Sequence, residues 1–260
     1  MQAANTQRQL KAGSPLDTKP SEIIEAYGQH LKVSPWHNSS EAAIITPLTA
    51  FQRLNTKAVQ MGIDNARKSG YRVIYTSALM DPETPGFFQS GFTLREQLYV
   101  LRHSLAALPE RPVTEGVKIR KPRSAEIAEV VEVDIRCFDS FWTMDRDGLR
   151  EAIEATTRAR FRVAVHRKET RPDRIVGYAV TGLGDKKGYL QRLAVDPEFQ
   201  GRGIAQQLVD DGFEWLRFWR AREEFVNTQT KNERALSFYL KMGFQLLDER
   251  LNILEFDLGA

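Results

Sequence analysis

The stretch that decides the fold is Leu193-Ala194-Val195-Asp196-Pro197-Glu198-Phe199-Gln200-Gly201-Arg202-Gly203-Ile204-Ala205. Its apolar beginning predicts a strand, Asp-Pro predicts a turn, and the glycines lie where an amphipathic helix begins. The start of a helix presents unpaired backbone N–H groups and the positive end of the helix dipole, so it binds anions well. Gly201 and Gly203 let the backbone approach a phosphate closely, and Arg202 adds a positive charge. The stretch therefore predicts a site for a pyrophosphate group.

Two well-known phosphate-binding loops do not fit this stretch. A Walker loop ends in Gly-Lys-Ser/Thr, whereas the chain has Gly203-Ile204-Ala205. A dinucleotide-binding loop needs a third glycine where the chain has Gln206, and an acidic residue about 20 positions later. The pattern that does fit is Gln/Arg-x-x-Gly-x-Gly/Ala, present at residues 200–205.

The composition of the rest of the chain excludes several classes of protein. The 260 residues include 37 Lys+Arg and 34 Asp+Glu, and 42% are hydrophobic, which is typical of a globular protein with a sizeable core. A net charge of +3 with interleaved signs does not indicate nucleic-acid binding. Cys137 is the only cysteine, which excludes internal disulfides and a cysteine-based zinc cluster. The four histidines lack metal-ligand spacing, so we expect no metal.

The apolar segments are all short. None approaches the roughly 20 apolar residues that cross a bilayer, and residues 1–19 lack the apolar middle of a signal peptide. We therefore expect a cytoplasmic protein that binds no membrane. Residues 1–20 are polar and without periodicity, so we expect them to be disordered.

Strand and helix patterns alternate along the chain, which predicts a mixed α/β sheet with helices on both faces. In the first half the pattern predicts a helix over residues 55–69, capped by Asn55, and strands over residues 72–80 and 96–105. Pro109 and Pro112 mark a linker, so we place a domain boundary near residue 115. For the second half we predict strands over 117–120, 161–166, 175–183, 189–195, 225–230 and 250–258, and helices over 125–136, 146–157, 201–220 and 233–242.

The ends of the two halves can be aligned as an internal repeat. Phe87-Phe88-Gln89-Ser90-Gly91-Phe92 matches Tyr239-Leu240-Lys241-Met242-Gly243-Phe244, and after a gap of one residue Glu96-Gln97-Leu98 matches Glu249-Arg250-Leu251. Chance is the alternative, because Gly-Phe before a strand is common. If the repeat is real, the first half is a degenerate copy of the second. It has Phe87 in place of Tyr239 and no glycine-rich loop, so we expect it to be structural and not catalytic.

A second motif follows the phosphate-binding stretch: Asn232-Glu233-Arg234-Ala235-Leu236-Ser237-Phe238-Tyr239-Leu240-Lys241-Met242-Gly243-Phe244. Together the two motifs make residues 117–258 resemble the GNAT superfamily of acyl-CoA-dependent N-acyltransferases. The resemblance implies a GNAT-type mixed central sheet flanked by helices, preceded by a smaller α/β half-domain of related topology. The domains expected are a tail at 1–20, a degenerate half-domain at 21–115 and a catalytic domain at 116–260.

The same resemblance implies a site for acetyl-CoA or a related acyl-CoA. The strand that carries Leu193, Ala194 and Val195 would separate from its neighbour, and its backbone would hold the pantetheine arm and polarise the thioester carbonyl. Asn232 would lie beside that arm, and Tyr239 would protonate the departing thiolate. The pyrophosphate would bind the backbone amides of Gln200, Gly201, Arg202, Gly203, Ile204 and Ala205.

The general base and the acceptor site are less well defined. Some relatives have a glutamate early on the strand before the loop, but the comparable residue here is Tyr189. Deprotonation of the amine through water is one alternative, and Glu154 or His166 as the base is another. Phe141 and Trp142 are expected to form an apolar wall of the acceptor site, with core packing as the alternative.

The resemblance implies an N-acetyltransferase that moves an acetyl group directly from acetyl-CoA to an amine of a small molecule or peptide in a ternary complex. One alternative is a tandem enzyme of the mycothiol-synthase kind, which acetylates an amino group on a thiol-bearing sugar conjugate. Another is an acyl-CoA-binding module without catalysis. A nucleic-acid-binding protein is the weakest reading, and the assembly expected is a monomer or a homodimer.

Overall fold

One sheet of twelve strands runs through both halves of the described chain. The structure is a computed structural model that describes residues 21–37, 39–49, 53–106, 115–168 and 171–259. Residues 1–20, for which the sequence predicts disorder, lie outside the described residues. Parallel and antiparallel strand pairs both occur, and helices flank the sheet, which confirms the predicted fold class.

The first half, up to residue 115, contributes six strands and two helices among its described residues. These are β1 (Glu22–Ala26), β2 (Gln29–Pro35), β3 (Ala42–Pro47), α1 (Thr56–Lys68), β4 (Val73–Thr76), β5 (Leu79–Met80), α2 (Pro85–Gln89) and β6 (Thr93–His103). The described part of the second half contributes six strands and four helices. These are β7 (Val117–Arg120), α3 (Ile127–Cys137), α4 (Arg146–Glu154), β8 (Arg158–Lys168), β9 (Arg171–Gly184), β10 (Lys187–Val195), α5 (Ile204–Phe218), β11 (Glu223–Gln229), α6 (Glu233–Lys241) and β12 (Gln245–Asp257).

The strand order is nearly symmetric about the central pair of β12 and β6: four strands lie beyond β12 and five beyond β6, so that β7 has no counterpart. From one edge the order is β1-β2-β3-β4-β12-β6-β11-β10-β9-β8-β7, and the twelfth strand, β5, lies off this path and pairs with β12. The parallel pair of β3 and β4 corresponds to the parallel pair of β10 and β11, and the antiparallel pairs correspond in the same way. At the centre Leu98 pairs with Leu251, and these are residues that the sequence repeat aligns with each other. The sheet is therefore not divided at residue 115, because β6 lies between two strands of the second half.

The turns that precede β6 and β12 have matching backbone geometry. Phe92 N donates to Phe87 O at 3.1 Å, and Phe244 N donates to Tyr239 O at 3.0 Å. The glycine between them has a φ of +94° at Gly91 and +90° at Gly243, which a residue with a Cβ rarely adopts. Both turns thus close their helix with the 6→1 bond of a Schellman motif, and they place Phe87 and Tyr239 at equivalent positions.

Helix α1 and helix α5 show how far local signals determine the boundaries. The Asn55 side chain accepts a hydrogen bond from Lys57 N at 2.8 Å, so α1 begins where the sequence predicts. The helix predicted over residues 201–220 is shorter, because Gly201 and Gly203 have φ angles of +77° and +79° that an α-helix cannot contain. The predicted helix 146–157 likewise ends at residue 154, where β8 soon begins to pair with β9.

The core lies on both faces of the sheet in the second half. On one face α5 buries Leu208 and Phe213 against Val226 of β11. On the other face α3 buries Val130 and Val133 against the strands. Each such side chain contributes about 1.5–3 kcal/mol when it is fully buried. A separate cluster around α1 forms the core of the first half.

Candidate active site

Strand β10 separates from β11 soon after the two begin to pair. The pairs are Lys187–Glu223, Gly188–Glu224 and Tyr189–Phe225, and no further pair joins these strands in the described residues. A bulge interrupts the pairing of β10 with β9 between Leu190 and Arg192, which increases the local twist. Residues 193–195 pair with β9 alone, so the backbone of β10 is open on the side of β11.

Residues 200–203, which we name the glycine loop, follow the turn at the end of this open strand and lead into α5. The first hydrogen bond within the helix joins Gln207 N to Gly203 O at 3.0 Å, so the amides of Ile204 and Ala205 have no acceptor inside the helix. A Cβ placed on Gly201 meets no atom within 4 Å, so the space in front of the loop is open. The residues present therefore fit a phosphate group, which the N–H groups and the helix dipole would stabilise.

Side chains of the turn itself keep the loop in place. Gln200 Nε2 donates to Val195 O at 2.8 Å, across the end of β10. Arg202 donates to Glu198 O at 3.0 Å, and its guanidinium lies 4.9 Å from the centre of the Phe199 ring. The positive charge of Arg202 thus stays beside the loop.

Asp196 joins the loop to the rest of the domain. It is 1% exposed and accepts hydrogen bonds from Arg136 and Arg174, both at 2.9 Å, and from Glu198 N at 3.1 Å. Burial opposes its charge, but the bond from Glu198 N and the nearby guanidinium groups lower the pKa of Asp196 below its ordinary value. The turn after β10 is therefore fixed by a charged side chain that stays ionised.

A cavity of about 1010 Å³ opens where β10 and β11 separate. Its walls come from β10, β11 and α6, from residues 138, 142, 144, 154–157, 184 and 185 and, in the first half, from residues 36, 37 and 98. Leu193, Asn232, Tyr239 and Trp142 are among them, as the sequence predicts for a site. The predicted cofactor residues 194, 195 and 200–205 are not in these walls.

Tyr239 is the predicted catalytic residue, and its side chain is 7% exposed. Its ring packs against Phe238 and Phe244, with centroids 5.3 and 5.5 Å away. Burial raises the pKa of the Tyr239 hydroxyl, and the Glu224 carboxylate raises it further, whereas Arg192 lowers it. The phenol is therefore neutral at physiological pH and has a proton to donate.

Asn232 has a structural task in addition to the one predicted. Its Oδ1 accepts a hydrogen bond from Ala235 N at 3.0 Å and so caps the start of α6. This cap does not use the Nδ2 amino group, and Asn232 is one of the residues that line the cavity.

The two predicted acceptor-site residues lie in different places. Trp142 is in a cavity wall, but Phe141 is not. The Phe141 ring packs between Trp36 and Tyr75 of the first half, with centroid distances of 5.1 and 5.0 Å. Phe141 thus takes part in a contact between the halves, of which sequence periodicity gives no signal.

Three polar atoms of the cavity residues are buried and have no hydrogen-bond partner within the described chain. They are His37 Nε2, Trp142 Nε1 and Gln191 Oε1. Burial lowers the pKa of His37, although the Asp145 carboxylate acts in the opposite direction. The imidazole is therefore neutral at physiological pH. Buried polar groups are nearly always satisfied, so the three atoms mark places where a bound molecule would supply partners.

Of the two side chains predicted as alternatives for the general base, one lies at the cavity and the other does not. Glu154 lies in a cavity wall, whereas His166 does not and instead packs on Phe199 at 5.1 Å. Tyr189 is in the wall with its ring stacked on Phe225 at 6.1 Å, and Asp185 joins it there. Sequence reasoning missed His37 and Asp185, because neither belongs to a motif.

Glu224 was also missed, although it is the most unusual carboxylate here. It is 1% exposed, and both its oxygens lack hydrogen-bond partners within the described chain. Burial raises the pKa of Glu224 to about 8.

No group of His, Cys, Asp and Glu that could hold a metal ion occurs among the described residues, and none of the helices described there is long and apolar enough to cross a membrane.

Comparison with known proteins indicates the same family as the two sequence motifs. Residues 127–244 match the Acetyltransferase (GNAT) family. A mycothiol acetyltransferase from Rhodococcus erythropolis is 30% identical over 237 residues, which are 86% of this chain and 78% of that protein. Another, from Actinosynnema mirum, is 32% identical over 157 residues, which are 57% of this chain and 51% of that protein. For this and two further mycothiol acetyltransferases, the match spans about half of the relative's length.

Solved structures share the whole architecture. A tandem GNAT protein from the clavulanic acid biosynthesis pathway superposes with a TM-score of 0.68 over 92% of this chain and 82% of its own. It is 15% identical in sequence, so the likeness concerns the fold.

Proposed function

Because this chain belongs to the GNAT family of acetyltransferases, we propose that it transfers an acetyl group from acetyl-CoA to an amine acceptor. The observation that carries the proposal is the opening between β10 and β11, with the glycine loop at its end and the neutral phenol of Tyr239 in its wall. Acetyl-CoA, when bound, supplies an activated acetyl thioester and a pyrophosphate. The backbone amides of residues 200–205 would bind the pyrophosphate, and the open backbone of residues 193–195 would hold the pantetheine arm.

The proposed transfer is direct, in a complex of enzyme, acetyl-CoA and amine. Backbone N–H groups of residues 193–195 would stabilise the negative charge that develops on the carbonyl oxygen. Tyr239 would donate its proton to the departing thiolate. A primary ammonium has a pKa of about 10.4 and must lose a proton before its nitrogen attacks. Glu154 and water are the routes for that proton that we retain. Action in the cytoplasm, as a monomer or homodimer, belongs to the same proposal.

The test is release of the CoA thiol by purified protein with acetyl-CoA and a panel of amines: an alkyl amine, an amino sugar and a short peptide. We expect release that depends on the amine and binding of CoA that calorimetry detects. Binding without release for any amine would favour the acyl-CoA-binding module. Absence of CoA binding would contradict the proposed site.

The names of the relatives favour a second candidate for the acceptor. Four of the related proteins are named mycothiol acetyltransferase, at 28–32% identity. A thiol-bearing sugar conjugate with a free amino group is therefore the first acceptor to add to the panel. A kcat/KM for it at least about tenfold above that for the plain amino sugar would support this candidate, and equal values would contradict it.

A further inference from the structure

A buried ion pair between Arg192 of β10 and Asp134 of α3 also contacts the segment of residues 138–144, which we name the acceptor loop. Arg192 Nε donates to Asp134 Oδ2 and Arg192 Nη2 to Asp134 Oδ1, both at 2.8 Å. Asp134 is 1% exposed and Arg192 is 8% exposed. The Tyr178 hydroxyl also donates to Asp134 Oδ2. Bidentate pairs of this kind fix the relative orientation of both side chains.

The same two side chains hold the acceptor loop at three points. Arg192 Nη2 donates to Trp142 O at 2.7 Å, and Met144 N donates to Asp134 Oδ1 at 2.7 Å. The Arg192 guanidinium also lies 3.5 Å from the centre of the Phe138 ring. The loop therefore depends on both partners for its position. That position sets where the unpartnered Trp142 Nε1 lies beside the cavity.

Arg192 occupies a special place in β10. It follows the bulge at Gln191 and precedes Leu193, whose backbone faces the opening, and it lies in a cavity wall itself. Its positive charge acts on the groups around the cavity, since it lowers the pKa of both His37 and Tyr239. Paired with Asp134, Arg192 adds no net charge to the wall, and the exposed acidic residues Glu154 and Asp185 line the same cavity.

We propose that Asp134 and Arg192 are a positioning pair that fixes the acceptor loop and cancels the guanidinium charge, so that the cavity admits a cationic amine. The inference rests on the proposed acetyl transfer. Without Asp134, an unpaired guanidinium would lie in the cavity wall, repel an ammonium group and release the loop. Binding of the acetyl donor would be unaffected, because the glycine loop is held by the separate contacts of Asp196 and Gln200.

The decisive variant is Asp134→Asn, which keeps the size of the side chain and removes its charge. We expect the KM for the amine to rise at least about tenfold, equivalent to about 1.4 kcal/mol. The KM for acetyl-CoA and the Kd for CoA should stay within about twofold. Asp134→Glu keeps the charge and should restore part of the amine KM.

The matched control is Glu126→Gln. Glu126 forms a similar bidentate pair with Arg120, at 2.7 and 2.8 Å, away from the cavity walls. We expect this control to leave the amine KM unchanged. A rise of the acetyl-CoA KM in Asp134→Asn as large as that of the amine KM would show a general structural role and overturn the inference.

Hydrogen exchange tests the loop without any turnover. Exchange of the amides of residues 142–144 should be faster in Asp134→Asn than in Glu126→Gln, because the Met144 N–H loses its carboxylate acceptor. Equal exchange in the two variants would overturn the inference, and so would faster exchange with an unchanged amine KM.

If wild type binds CoA but acetylates none of the panel amines, the proposed function fails, and exchange still decides whether the pair holds the loop. If Asp134→Asn does not fold, Asp134→Glu and Arg192→Lys are measured in the same way. Wild-type amine KM and exchange in Arg192→Lys would then contradict the need for a bidentate pair.

Discussion

The two halves of the molecule share one strand order, but among the described residues their parallel strand pairs differ. In the first half, β3 and β4 pair at four consecutive positions, from Ala42–Val73 to Ile45–Thr76, without a register shift in the described residues. In the second half, the corresponding β10 and β11 pair at three positions and then part, beside a bulge. A paired sheet thus becomes a cleft through a local change at one strand, while the topology stays the same.

Equivalent positions show the same contrast in side chains. Phe87 is fully buried and packs on Phe92, whereas Tyr239 places a hydroxyl in the cavity wall. Strand β4 buries the apolar Ile74 and Thr76, whose hydroxyl accepts a hydrogen bond from Leu254 N, whereas β11 buries the carboxylate of Glu224 without a hydrogen-bond partner in the described residues. Polar groups that cost stability are therefore concentrated in the half that has the candidate site, as expected for a functional region.

The largest expected effect concerns two glycines that have the same backbone geometry in different halves. Gly201 and Gly28 have φ angles of +77° and +73°, and a Cβ on either meets no atom within 4 Å. Gly201→Val should weaken CoA binding at least about 100-fold, equivalent to about 2.7 kcal/mol, because the side chain covers the amides. Gly28→Val should cost similar stability and leave the affinity unchanged. Calorimetry with CoA measures both, and wild-type affinity in both would show that the loop does not bind the pyrophosphate.

The next effect concerns the equivalent aromatic residues. Tyr239→Phe should lower kcat about 100-fold, as expected for loss of a general acid, without changing the Kd for CoA. The reciprocal change Phe87→Tyr, combined with Tyr239→Phe, should restore no activity. Because the pKa of Tyr239 is raised, kcat of wild type should show no loss from its ionisation below pH 10. Unchanged turnover and an unchanged pH profile in Tyr239→Phe would exclude it as the acid.

Glu224 gives a smaller effect, which depends on pH. Its pKa is about 8 in the folded protein against 4.5 for the ordinary group, so the folded state holds the extra proton between these values. The free energy of unfolding should therefore fall as pH rises from about 4.5 to 8, by up to about 1.4 kcal/mol per unit. Glu224→Gln should remove this dependence and be the more stable protein at pH 8.

Urea unfolding at pH 5 and pH 8 measures this difference. The control is Glu223→Gln, at the partly exposed neighbour that pairs with Lys187 at 3.6 Å, and it should keep the wild-type pH dependence. The same slope in Glu224→Gln and wild type would mean that Glu224 is not the group responsible.

The smallest effect compares two helix caps. Asn55 and Asn232 each accept a backbone hydrogen bond at the start of a helix, at 2.8 and 3.0 Å. Replacement of either by Ala should cost about 1 kcal/mol of stability. Asn232→Ala should in addition raise the KM for acetyl-CoA a few-fold, because Asn232 lies in the cavity wall. A matching rise in Asn55→Ala would show that lost stability alone explains the kinetic change.

Local signals in the sequence were sufficient for much of the fold. The cap at Asn55, the glycine turns and the helical spacing in α5 each depend on neighbours a few residues away. The cap at Asn232 is equally local but was not predicted. The alternation of strand and helix patterns indicated the fold class, and the two motifs carried the resemblance to the family. The exact start of α5 was not predicted, because the positive φ angles of Gly201 and Gly203 are a property of the folded loop.

Contacts between distant segments account for what the sequence could not predict. Asp134 and Arg192 are 58 residues apart, and neither belongs to a motif. Phe141 is not among the residues that line the cavity, and Trp36 and Tyr75 pack against it from the other half. Periodicity reports which face of an element is apolar, but not which element will cover it.

The position of β6 between β11 and β12 affects how this molecule can be assembled. During synthesis β6 leaves the ribosome well before its neighbours in the sheet, β11 and β12. Both edges of β6 therefore stay unpaired until those strands have been made. If the chain were cut between the halves, both fragments would have an unpaired edge that the other one completes. Such fragments should recombine into one noncovalent protein when they are co-expressed, and each should aggregate when it is made alone.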